Sequence, residues 1–318
     1  MTDAREFSLL GTDDWKSYAY FQAGVEWELQ GEENKAQQMF LKALDQDPKN
    51  LGATFNLSVL DIRAQEYERA LQRLERVRRA AWTNRKVTWF KNFPPERTSL
   101  WYAALYQLAT TYLYKYSLDN LPEEERNSSL AQAKEVANEL ICTINEVLHN
   151  IWRQHRTDAA LRKYLERIQP MAEIVHAGTV ILSPSSSDEE RAKANSKVKK
   201  IEKSAELVEL SYRTQYNLAC FYSRLGMTTE DDTEKAEHYT VALYYLKSTL
   251  ERSGTLAQWA CKDPGLCGVR EDNETRVHDN VTAQVAFSNL IKKYGGTATP
   301  EPNDQPPLAA LWRLLREF

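Results

Sequence analysis

Glycine and proline are scarce in this chain, at 11 each in 318 residues. Both interrupt regular backbone, so their rarity leaves room for long helices and argues against a turn-rich all-β fold. Cysteine is scarcer still. Cys142, Cys220, Cys261 and Cys267 are scattered without the spacing of a disulfide framework. No apolar run approaches the roughly 18 residues of a membrane span; the longest, near Ile174 to Leu182, is interrupted by His176. The opening MTDAREFSLLGTDD is charged and lacks the apolar core of a secretory leader. Together these absences predict a cytoplasmic protein with reduced thiols. The four Asn-x-Ser/Thr sequences, at Asn56, Asn127, Asn273 and Asn280, are then accidental. A net charge of only −4 excludes a whole-protein attraction to nucleic acid or anionic membrane, although local patches stay open.

Catalytic signatures are missing as well. There is no glycine-rich phosphate loop, no G-x-S-x-G and no H-E-x-x-H. The five histidines are far apart, and His149 and His155 do not share a helix face. Cys261 and Cys267 flank Asp263-Pro264-Gly265 but lack two further ligands for zinc. No enzyme, no metal site and no cofactor are expected.

What the chain does hold is helix. The stretch YAYFQAGVEWELQGEENKAQQMFLKALDQDPKN, Tyr18 to Asn50, reads as two short helices. Ala23, Gly24 and Trp27 share a face of the first, Gln30-Gly31 breaks it, and Ala36, Phe40 and Ala43 stripe the second until Pro48 stops it. Small residues where two helices meet, an aromatic wedge and a closing proline resemble a tetratricopeptide (TPR) repeat, with Tyr20 and Trp27 at its aromatic positions. The stripe returns at Ala70, Leu74 and Val77, 34 residues on. The resemblance implies an all-α, right-handed α-solenoid of TPR-like antiparallel helix pairs, with irregular central insertions and a C-terminal capping helix.

The expected order is a lead over 1–14, two consecutive TPR units over 15–80, and an irregular basic and aromatic connection over 81–99. Degenerate helix pairs follow over 100–182, with a helix kinked or started near Pro170. A Ser-rich acidic linker covers 183–196, where Ser187 and Glu190 fit a capping box, and a TPR-like pair spans 197–254. Closing helices fill 255–296; their Asp263-Pro264-x-Leu266 turn and Arg270 resemble the segment that ends bacterial TPR arrays. A Pro-rich linker over 297–307 delivers an amphipathic helix over 308–318, expected first as a cap and otherwise as a segment docking on itself or a partner.

A tetrapeptide recurs on the first helix of each pair: Phe21-Gln22-Ala23-Gly24, Phe55-Asn56-Leu57-Ser58, Tyr106-Gln107-Leu108-Ala109 and Tyr216-Asn217-Leu218-Ala219. Each is aromatic, carboxamide, apolar, small. A carboxamide lies about 200° around the helix from the small residue two positions on, so it points out of the helix contact. The TPR resemblance places these amides in a concave groove. Carboxamides donate and accept, which suits the backbone of an extended peptide. The expected partner-binding groove comprises Tyr18, Phe21, Gln22, Val25, Phe55, Asn56, Val59, Tyr106, Gln107, Arg213, Asn217 and Arg224, and its expected partner is a protein offering a peptide or amphipathic helix. The carboxylate clamp of chaperone-tail TPR adaptors is not matched: Phe21, Val25, Asn56, Ala103 and Gln107 stand at its positions, and only Asn56 agrees.

Residues 63–97 carry ten Lys or Arg against four Glu. Arg69, Arg73, Arg76, Arg79, Arg85 and Lys86, with Trp82, Trp89 and Phe90 interleaved, offer an alternative nucleic-acid surface through phosphate contact and base stacking. A solvated helix face explains them equally.

Overall fold

A helix begins where a side chain can accept its unpaired first amides, and such caps set most borders here. The computed structural model describes residues 14–81, 95–118, 120–153, 159–205, 210–254, 256–277 and 281–295. They form two compact units, one of residues up to 111 with 159–161 and one of 112–153 with 162–295. The expected lead, the tryptophan-rich connection, the Pro-rich linker and the helix over 308–318 lie outside the described residues, apart from Asp14 and the ends of 81–99.

The first unit opens with α1 (Trp15–Leu29) and α2 (Glu33–Gln46), then α3 (Leu51–Arg63) and α4 (Tyr67–Ala81). Asp14 caps α1, accepting from the amides of Lys16 and Ser17 at 2.7 and 2.9 Å. Asn50 caps α3 by accepting from the Ala53 amide at 2.9 Å. Both intra-pair turns use a left-handed residue at the same offset, Gly31 with φ 76° and Gln65 with φ 62°. α1 packs on α2, α2 on α3, and α3 on α4. The stripe read from the sequence is their core: Ala36, Phe40, Ala43, Ala70, Leu74 and Val77 are wholly buried. Gly24 permits the closest approach, because a Cβ there would lie 2.5 Å from the Phe40 ring. Ser17 then donates to the Ala43 carbonyl at 2.7 Å and accepts from Asn50 at 2.9 Å, tying α1 and α2 to the start of α3.

α5 (Pro95–Tyr116) carries the chain through the boundary between the units. In the second unit, α6 (Glu123–Arg153) and α7 (Ala159–Leu182) follow, and α7 continues through Pro170. The capping box forms as read: Ser187 accepts from the Glu190 amide at 3.2 Å, and Glu190 accepts from the Ser187 amide at 2.8 Å. It opens α8 (Asp188–Ala205), so most of the stretch expected as a linker over 183–196 is helix. α9 (Tyr212–Thr228) and α10 (Asp232–Arg252) form the next packed pair. Glu202 of α8 accepts from Tyr222 of α9 at 2.7 Å and Tyr245 of α10 at 2.9 Å, locking three helices together. The end of the unit is α11 (Leu256–Ala260), a 3₁₀ turn (Pro264–Leu266), α12 (Cys267–Glu271) and α13 (Ala283–Tyr294). The architecture is all-α, with consecutive packed helix pairs and no named strand among the described residues.

His176 of α7 is largely buried near Lys134 of α6 and Lys197 of α8. Burial, then those two ammonium groups, pull its imidazole from the ordinary 6.5 down to about 4. The folded state therefore binds its proton less readily than the unfolded chain. The resulting stability is complete above about pH 6.5 and is lost as pH falls through 4, at most on the order of 3 kcal/mol. Thermal unfolding between pH 7 and 4 is expected to show this slope in the wild type and a flatter one in His176→Gln. Equal slopes would mean the histidine stays solvated.

Candidate protein-interaction surface

The four tetrapeptides sit on α1, α3, α5 and α9. Their small residues Gly24, Ser58, Ala109 and Ala219 are all buried, as close helix approach requires. The carboxamides differ. Gln22, Gln107 and Asn217 are partly exposed, while Asn56 is buried at 3% exposure. Its Nδ2 has no hydrogen-bond partner among the described residues.

The aromatic part of the expected groove is corrected by burial. Phe21 and Phe55 have no exposed surface. The Phe21 ring lies 5.9 Å from that of Phe40, inside the α1–α2 pair. Tyr18, Val25 and Val59 are also buried. The reason is geometric: α3 is buried along Leu51 to Ile62, so its Phe and Val have no free face. Tyr106 stays partly exposed. Of the expected groove residues, Gln22, Tyr106, Gln107, Arg213 and Asn217 keep partial exposure.

The basic stretch is largely occupied internally. Asp61, 1% exposed, accepts from Arg69 at 2.7 Å and from Arg73 at 2.8 Å. Arg76 donates to the Pro48 carbonyl. Glu75 pairs with Arg78 at 3.0 Å and more loosely with Arg79 at 3.8 Å. Arg63 pairs with the buried Glu28 at 3.3 Å and with Glu33 at 3.1 Å. Arginines held by carboxylates are poor phosphate donors, so the described half of this face does not favour nucleic acid. Arg85 and Lys86 lie outside the described residues.

The two cations expected at the far end of the groove sit on α9. Arg213 is partly exposed, donates to Tyr212 Oη at 3.1 Å and stacks over that ring. Arg224 is buried at 6% exposure. The face that carries it, Tyr216–Cys220–Arg224 at successive turns, is turned towards Asp263. Asp263 is fully buried. It accepts from Tyr216 at 2.8 Å, from Tyr114 at 3.2 Å, from Cys220 Sγ at 3.9 Å and from the Gly265 amide at 2.6 Å. Burial first, and the Asp263 charge second, push the Tyr216 hydroxyl and the Cys220 thiol far up their ranges, so both remain donors. Cys220 is thus no nucleophile. Arg270 closes the turn from outside, donating to the Asp263 carbonyl at 3.0 Å and to the Cys261 carbonyl at 3.2 Å. The Asp-Pro-x-Leu segment is thereby an ordered turn between α11 and α12. Sequence reasoning missed Asp263 as a hub. A lone acid before proline reads as a turn residue, and only the fold delivers Tyr114 to it.

Residues 29–82, from the end of α1 through α4, match the family model of the tetratricopeptide repeat. The chain carries tetratricopeptide repeats. No curated protein and no solved structure matches it. The TPR match coincides with the stretch whose stripe positions repeat at 36, 40, 43 and 70, 74, 77. TPR arrays are built as stacked helix pairs and generally bind proteins. Among the described residues, no group of His, Cys, Asp and Glu is gathered to hold a metal ion, and no helix is long and apolar enough to cross a membrane.

Proposed function

We propose that this TPR protein is a non-catalytic scaffold that binds a segment of a partner protein along the first helices of its repeats. In the first unit, Gln22 and Gln107 grip that segment's backbone. The partial exposure of Gln22 and Gln107 carries the reading: each presents a donor and an acceptor that a partner's main chain can meet. The two positions lie on α1 and α5 of the first unit, which suits successive contacts to an extended or helical segment. The buried Phe21 and Phe55 serve the repeat core and hold those amides in place.

The test is selection from a random peptide library by the full chain, followed by affinities for Gln22→Ala and Gln107→Ala. Each variant is expected to bind the selected segments about tenfold more weakly, corresponding to one lost buried hydrogen bond. Asn56→Ala is expected to keep or slightly raise stability, since it removes an unmatched donor. Undiminished binding by Gln22→Ala and Gln107→Ala would refute the amide contacts.

A further inference from the structure

The arginines of α4 are largely taken up inside the fold, and the lysines of α8 are not. Past its first turn, α8 carries Lys193, Lys197, Lys199, Lys200 and Lys203, all exposed. None of the five forms an ion pair or a hydrogen bond among the described residues. The helix's own acids do not neutralise them. Asp188, Glu189 and Glu190 fall in the first turn, and Glu202 accepts from Tyr222 and Tyr245. Arg191 is turned back onto the preceding loop, donating to the carbonyls of Ser183 at 2.9 Å and Ser186 at 3.3 Å. Positive charge is left in excess on this face, and Lys197 helps to lower the proton affinity of His176 on α7.

Packing fixes where these lysines lie. Ala194, Val198 and Ile201 are buried, so the arc opposite that stripe is open. At about 100° per residue, Lys193, Lys197 and Lys200 form a row along one flank of the open arc. Lys199 and Lys203 form a second row about 100° away, and the two rows run over about 15 Å of helix. The other exposed residues past the first turn are Ala192, Ser196 and Ser204. A helix with a small crest and ammonium groups on either side suits the major groove of a duplex, about 12 Å wide and bordered by two phosphate backbones. Other anionic surfaces fit less well. No apolar side chain larger than alanine is exposed there to enter a bilayer, and no aromatic ring to stack unpaired bases. Lysine is a point charge suited to phosphate, whereas a carboxylate is best met by an arginine fork, which this face lacks.

We infer that the lysine face of α8 binds double-stranded nucleic acid through its phosphates, without reading bases. The face exposes no carboxamide or guanidinium that could pair bidentately with a base edge. Glu234 and Glu237 lie near His238 on the Lys199 side, so Lys193, Lys197 and Lys200 carry most of the attraction. This site lies in the second unit and is independent of the segment-binding reading.

The experiment measures binding of the full chain to short duplexes of two unrelated sequences by fluorescence anisotropy, between about 50 and 200 mM salt. Both duplexes are expected to bind alike. Affinity is expected to fall with a log–log slope of about −4, roughly 250-fold over that range, as four to five phosphates are neutralised. Each of Lys193→Gln, Lys197→Gln and Lys200→Gln is expected to make the slope shallower by about one, and the triple variant to lose binding at about 100 mM salt. All three side chains are exposed, so folding is not at stake. Lys193→Arg, Lys197→Arg and Lys200→Arg together are expected to keep the binding. Single strands, poly-glutamate and phosphatidylserine vesicles at the same ionic strength are the rival anions. Tighter binding of any of them than of the duplexes would overturn the inference. So would a strong preference between the two sequences, duplex binding undiminished in the triple glutamine variant, or no duplex binding at the lowest salt.

Discussion

Asp263→Ala is expected to loosen the second unit by roughly 4 kcal/mol, a large share of what holds a domain folded. The substitution removes an acceptor with no exposure and leaves Tyr114, Tyr216, the Gly265 amide and Cys220 without their partner. Each stranded donor is too deep to find water. Asp263→Asn keeps the shape and half the accepting capacity, so its cost is expected to be about half as large. Because the chain holds two units, a global denaturation midpoint would mix them. Amide exchange resolved over α9, α11 and α12 reads the effect directly, and unchanged protection there would show that water already shares those bonds.

The second large effect is expected at Gly24→Val, which should destabilise the first unit by roughly 3 kcal/mol. The new Cβ meets the ring of Phe40 at 2.5 Å, and that ring is itself wholly buried with no direction in which to retreat. Gly24→Ala is expected to cost less but to show the same sign, although alanine is the better helix former. Paired with Phe40→Leu, it should recover part of its loss, since the smaller side chain vacates the space. Additive losses in the double variant, read as exchange in α1 and α2, would mean that the helices slide apart instead.

The core of the repeats was legible because it is periodic. Ala36, Phe40 and Ala43 recur as Ala70, Leu74 and Val77, and a helix can bury such a stripe in only one way. The Ser187–Glu190 box was legible because capping is local chemistry. The open surface was not. Phe21 and Val25 lie one turn apart on α1, and nothing in a single helix says whether that face meets solvent or a neighbour. The arginines of α4 misled for a related reason. Asp61 sits 8 and 12 residues before Arg69 and Arg73, on the preceding helix, so the pairing exists only once α3 and α4 are packed. Arg224 was picked out as a cation at the groove's far end; its burial and its unmatched donors depend on a turn some 40 residues later.

A chain of stacked helix pairs is ordinarily assembled from neighbours alone, and each pair can settle as soon as it is made. The bond between Tyr114 and Asp263 breaks that habit, since it joins residues 149 positions apart. Within the second unit, the end of α5 is thereby tied directly to the turn after α11. During synthesis, the Tyr114 and Tyr216 hydroxyls wait for Asp263 until the closing turn leaves the ribosome, and folding of the unit carries the slower rate that distant contacts impose. Trimming the chain before residue 263 would leave a latch with no catch.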